Sequence, residues 1–161
     1  MRRVYLAGLL SLVAVSSAAA CELRLEDGWV RGAPPGAKAM AGFGRIVNSG
    51  TVESELVSLS SPAFGRIEIH EMKTVDGVMQ MRKIERLTLQ PGESMDLASG
   101  GNHIMLFDPT EPLATGAQFD LTMTLGCDSK VVTLIPVAMS APAASGKVEP
   151  ADAKDAHEHH H

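Results

Sequence analysis

The stretch Ile67–Glu85, IEIHEMKTVDGVMQMRKIE, decides the fold. Two alternating runs flank Asp76-Gly77. Asp-Gly is a favoured centre for a two-residue type I′ hairpin, because both central positions take positive φ. With that loop, opposed residues have numbers that sum to 153, so Met72 faces Met81 and Thr74 faces Met79. His70 then lies diagonally from Met81. Side chains alternate along a strand, which puts His70, Met72, Met79 and Met81 on one face, with Glu71 and Arg82 opposed on the other. Ile67 and Ile69 point away from His70, toward a core.

Outward from this hairpin the same texture continues. ELRLEDGWVRGAPPG reads as an opening strand, a turn at Asp27-Gly28, then Trp29 and Val30 before a Pro-Pro-Gly loop. AGFGRIVNSG, VESELVSLSSP, RLTLQPGESMDL, HIMLF, AQFDLTMTLG and KVVTLIPV follow at similar spacing. Leu87 and Leu89 alternate with polar residues, as do Phe119, Leu121, Met123 and Leu125, with the period of two of a half-buried strand. No segment keeps a 3.6-residue period for three turns. Short strands at regular spacing, with Gly, Pro and Asn between them, predict one all-β domain, a sandwich or barrel, over residues 21–139.

The two ends differ in kind. Residues 1–20 combine Arg2 and Arg3, a short apolar run and SSAAA, with Ala18 and Ala20 fitting an A-x-A cleavage site. That is a secretory signal peptide, too short for a transmembrane helix. It predicts export, and the expected compartment is the periplasm. Residues 140–161 are rich in Ala, Pro, Ser and charge, and are expected to form a flexible His-rich tail. Cleavage after Ala20 leaves 141 of the 161 residues, with 12 of the 14 basic side chains against 19 acidic, net −7. No basic patch is evident, which argues against nucleic acid as a partner.

Two cysteines remain, Cys21 and Cys127. In an oxidising compartment the first reading is a disulfide between them. The alternative makes Cys21 the lipidated first residue of a lipoprotein, although Ala18 stands where such a signal usually has a Leu-like residue.

The histidines pose the functional question. Only two precede the tail, His70 and His103, and each lies two residues from a methionine, Met72 and Met105. Imidazole serves many metals, whereas a neutral thioether is soft and favours Cu(I) over Zn(II) or Mg(II). Methionine cannot be lost to a disulfide, so a His/Met set keeps a soft donor outside the cytoplasm. The plainer alternative stays open at this point: methionine is also a common gap-filler in cores short of aromatics.

The spacing carries a resemblance. His70, ten residues, Met81, twenty-one residues, then His103-x-Met105 matches the H-x10-M-x21-H-x-M pattern. In this the chain resembles the PCuAC-type periplasmic copper chaperones. The likeness extends over most of residues 22–139, including DGWVRGAPPGAKAMAGFGRIVNSG. It implies a cupredoxin-like Greek-key β-sandwich or barrel and one Cu(I) held by His70, Met81, His103 and Met105. It also implies delivery to the Cu(A) centre or related copper sites of haem–copper oxidases. The partner would be the oxidase copper-site subunit or a thiol-containing assembly factor, met by a monomer that reaches the membrane only through its partners. Glu71 departs from the pattern, since some relatives carry a further methionine directly after the histidine. Met72 and Met79 are left as supporting or transient donors.

The tail adds His157, His159, His160 and His161. These are either an affinity tag or a second site, since flexible imidazoles favour Cu(II). Other classes fit less well. A blue-copper electron carrier needs a thiolate beside two histidines, and Cys127 has no histidine nearby. An enzyme needs a nucleophile–base constellation, which the sequence does not display. Sequestration of copper for tolerance remains an alternative to delivery.

Overall fold

The computed structural model describes residues 21–142. They form ten strands: β1 (Leu23–Arg31), β2 (Ala39–Asn48), β3 (Ser54–Ser60), β4 (Phe64–Val75), β5 (Val78–Ile84), β6 (Leu87–Leu89), β7 (Ser94–Leu97), β8 (His103–Pro109), β9 (Gln118–Leu125) and β10 (Lys130–Ala138). No helix occurs among the described residues. Seven strands, in the order β4-β8-β2-β1-β10-β9-β3, close into a barrel, because β3 returns to pair with β4 at Leu59 and Ile67. β5, β6 and β7 lie outside this ring, on β4, β3 and β2. The all-β, cupredoxin-like reading of the sequence is therefore borne out. The proposed leader, 1–20, and the tail beyond residue 142, with His157 and His159–His161, lie outside the described residues.

Period-two alternation supplies the core. Phe119, Leu121, Met123 and Leu125 of β9 all face inward, as do Leu87 and Leu89 of β6. They join Leu23, Ile46, Leu106, Ile135 and Val137 in one hydrophobic cluster. Each such side chain contributes about 1.5–3 kcal/mol by leaving water.

Two departures from simple alternation have the same cause. The predicted turn at Asp27-Gly28 is instead a bulge within a continuous β1, where the register to β2 shifts between Glu26 and Trp29. The extra residue changes the parity of the strand. Leu25 and Val30 both reach the core, while Trp29 packs on Phe43 with ring centroids 5.0 Å apart. Gly44 of β2 makes room for this bulge: its φ is +140°, and a Cβ there would lie 2.9 Å from the Glu26 carbonyl oxygen. A second shift, between Leu56 and Ser58 of β3, explains how Leu56 and Leu59 can both be buried.

The β4–β5 hairpin has the predicted register throughout, with Met72 opposite Met81, Thr74 opposite Met79 and Glu71 opposite Arg82. Asp76 and Gly77 supply the two positive φ values, 51° and 78°. β4 pairs with β8 only from Phe64 to His70. Beyond His70 it has β5 alone, so the hairpin continues as an arm past the barrel wall. Cys21 and Cys127 are joined by a disulfide, with Cα atoms 6.7 Å apart. It ties the start of β1 to the β9–β10 turn.

Candidate metal centre

The arm leaves the barrel where the two histidines meet. His70 of β4 and His103 of β8 are direct cross-strand partners, and their ring centroids lie 6.0 Å apart. Their inward neighbours Ile69 and Ile104 are buried in the core and pin both strands. The histidines thus project from the outer face of a rigid sheet. His103 is nonetheless only 6% exposed, and the His70 side chain 13%.

Each ring is held through one nitrogen. His103 Nδ1 lies 2.9 Å from the Gly101 carbonyl, in the tight loop before β8. His70 Nε2 lies 2.8 Å from Glu68 Oε2. His70 Nδ1 is buried and has no hydrogen-bond partner among the described residues. Buried polar atoms are rarely left so. A bare imidazole nitrogen beside a second imidazole is what a metal requires.

The methionines approach from opposite diagonals. Met105 is two residues along β8 from His103 and opposite Glu68. Met81 is on β5, opposite Met72, and so one diagonal from His70 on the arm side. Met105 is half-buried, whereas Met81 is 53% exposed. On a flat sheet, two strands and four residues of stagger would separate the Met81 and Met105 Cα atoms by roughly 15–17 Å. The structure brings the two histidines together with Met105 alongside. In the register Met81 is two strands and four residues of stagger from Met105. Met72 is the direct partner of Met81, two residues along β4 from His70, and Met79 lies further out on the arm, 58% exposed.

Glu68 is a site residue to which the sequence reading assigned no role. The signal was present, since Glu68 is two residues before His70 and shares its face. Its side chain is 12% exposed and its carboxylate meets Arg66 at 3.3 Å and Lys83 at 3.8 Å. The hydrogen bond from His70, then these two cations, hold the Glu68 carboxyl below the usual carboxylate range against the opposing effect of burial. Arg66 in turn lies over the Phe107 ring at 4.3 Å. Among the described residues no three His, Cys, Asp or Glu side chains form a group able to hold a metal. The side-chain donors that share the histidine face are thioethers, with Met105 two residues along β8 from His103. The residues present fit a soft ion such as Cu(I).

A closed seven-stranded barrel with this topology is the fold of the PCuAC domains. The copper-bound PCuAC domain from PmoF2 superposes with a TM-score of 0.61 at 20% identity, covering 75% of this chain and 97% of that one. The apo PCuAC domain from PmoF1 gives 0.58 at 26% identity, covering 74% and 94%. The Cu(I) form of DR1885 from Deinococcus radiodurans gives 0.61 at 19%, covering 77% and 83%. The chain belongs to the LpqE-like family, whose description is that of a lipoprotein and whose profile matches residues 23–137. A lipoprotein-designated protein of Leifsonia xyli subsp. xyli, Lxx21020, is 28% identical over 116 residues, 71% of this chain and 69% of that protein. Protein RP573 of Rickettsia prowazekii is 32% identical over 98 residues, 60% of this chain and 54% of that protein.

The family description bears on Cys21. Lipidation of a lipoprotein's first cysteine uses its sulfur, which here is bonded to Cys127. The two states exclude each other. Among the described residues, no helix is long and apolar enough to cross a membrane.

Proposed function

We propose that this protein is an exported copper carrier of the periplasm. It holds one Cu(I) through His70, Met81, His103 and Met105 and passes it to copper sites of the Cu(A) type in haem–copper oxidases. The observation that carries this reading is the buried, unpartnered Nδ1 of His70 beside His103, flanked on its own face by thioethers. The copper-bound PCuAC domains of the same fold support it. The role is binding and transfer rather than catalysis.

Neutral thioethers suit release as well as capture. A dithiolate acceptor offers softer, anionic donors, so Cu(I) moves downhill to a reduced oxidase subunit or to a thiol-containing assembly factor. The partly exposed Met81 is the donor that such an acceptor reaches first. The tail histidines His157, His159, His160 and His161 would form a separate Cu(II)-collecting site. The protein acts as a monomer and meets the membrane only through its recipient.

The test is a Cu(I) titration of the mature protein followed by transfer to a reduced apo oxidase copper fragment. One Cu(I) per chain and one-way transfer are expected. Loss of the gene should impair oxidase loading at low copper. Normal oxidase assembly with heightened sensitivity to excess copper would make sequestration the better account.

A further inference from the structure

We infer that Glu68 and the Gly101 carbonyl assign opposite nitrogens of the two histidines to the metal. His70 binds through Nδ1 and His103 through Nε2, and Glu68 is the residue that positions His70. The inference rests on the copper reading above and extends it to the atoms.

The argument starts from hydrogen-bond inventory. A neutral imidazole has one N–H and one lone pair, and an ionised carboxylate only accepts. With Glu68 Oε2 at 2.8 Å, His70 Nε2 must carry the hydrogen. The lone pair is then on Nδ1, the atom that is buried and without a partner. At His103 the roles reverse. A backbone carbonyl also only accepts, so Nδ1 donates to Gly101 at 2.9 Å and the lone pair is on Nε2. The hydrogen bond made by one ring nitrogen sets which nitrogen binds metal.

Glu68 divides its two oxygens between two tasks. Oε1 faces the cations Arg66 and Lys83, and Oε2 faces His70. The cations hold the carboxylate and the carboxylate holds the ring. Met105 is the cross-strand partner of Glu68, so both thioether and carboxylate flank the histidine pair. A carboxylate behind a ligating imidazole also raises its basicity as a donor. In a set of four neutral ligands, the Glu68 carboxylate sets a negative charge directly against one of them.

Long-range 1H–15N spectra of histidine-labelled protein decide the matter, because Cu(I) is diamagnetic. In the metal-free protein, with both rings neutral, His70 should show a protonated Nε2 and a bare Nδ1, and His103 the reverse. Adding Cu(I) should shift His70 Nδ1 and His103 Nε2. Cu(I) shifting Nε2 of His70, or a protonated Nδ1 there before metal, would overturn the assignment. Glu68→Ala should weaken Cu(I) binding by about 10–100-fold in a chelator competition. Glu68→Gln, which keeps an acceptor oxygen, should lose less and keep the Nδ1 pattern. Arg66→Ala, which leaves Lys83 on Oε1 and the His70 contact on Oε2, should lose clearly less affinity than Glu68→Ala. Equal effects of Glu68→Ala and Arg66→Ala would reduce Glu68 to a surface ion-pair partner. If the wild type takes up no Cu(I), the copper reading fails, while the metal-free spectrum still tests the tautomers.

Discussion

Met81→Ala and Met123→Ala each remove one thioether, yet they should fail in opposite ways. Met123 is fully buried at 0% exposure in the barrel core. Truncating it removes its transfer energy and leaves a cavity, at a cost of about 2–5 kcal/mol. The melting temperature should drop by on the order of 10 °C. Copper affinity at the folded domain should be unchanged, since β9 does not reach the histidine face. Met81 is 53% exposed on the arm, so its truncation should move stability by less than about 0.5 kcal/mol. Its Cu(I) affinity should fall at least about tenfold, the equivalent of ~1.4 kcal/mol. Thermal melts and Cu(I) titration against a colorimetric chelator, run on both variants, give all four values. Unchanged affinity in Met81→Ala, or equal loss of affinity in both, would refute the reasoning.

Reducing the Cys21–Cys127 bond, which closes a separation of 106 residues, should destabilise the domain by up to about 4–5 kcal/mol. Mass spectrometry of the non-reduced protein should show the linked pair; a diacylglyceryl group on Cys21 would establish the lipid-anchored state instead. Asn48 is fully buried and donates to the Val52 and Leu89 carbonyls, both at 2.8 Å, while accepting from the Gly50 amide. Asn48→Ala orphans these groups and should cost about 2–4 kcal/mol in urea unfolding. Glu68 contributes stability that is present above the ordinary carboxylate value of 4.5 and is lost as pH falls through its lower folded value. The stability gap between wild type and Glu68→Gln should therefore narrow on acidification below that point, and a gap independent of pH would contradict the ion-pair account. Because the arm must approach His103 to complete the ligand set, Cu(I) should shift the backbone amides of residues 72–81 more than those of β9.

How much of this was legible in the sequence depended on how local each feature is. The hairpin register follows from two adjacent residues, Asp76-Gly77, and strict alternation around them, so it could be read directly. The faces of β9 and β6 were legible for the same reason. The bulge at Asp27-Gly28 was not, because a Gly after an Asp suits a turn equally well. Only the close approach of Gly44 from β2 makes it a bulge, and that contact is non-local. Asn48 read as a turn residue, yet its side chain is enclosed by chain segments up to 41 residues away. At the site, alternation placed His70 and Met81 on one face of the hairpin, and the resemblance added His103 and Met105. Alternation could not show that His70 and His103 are register partners, since the β4–β8 pairing crosses three intervening strands in the chain. Nor could it show that Met81 lies exposed on the arm, or that Glu68 takes one nitrogen of His70 and leaves the other bare.

X-ray absorption at the copper edge of the Cu(I)-loaded mature protein tests the central claim most directly. The account predicts mixed nitrogen and sulfur scattering from one copper per chain, with the sulfur contribution reduced in Met81→Ala and in Met105→Ala. A first shell of nitrogen and oxygen alone, unchanged in both variants, would contradict it.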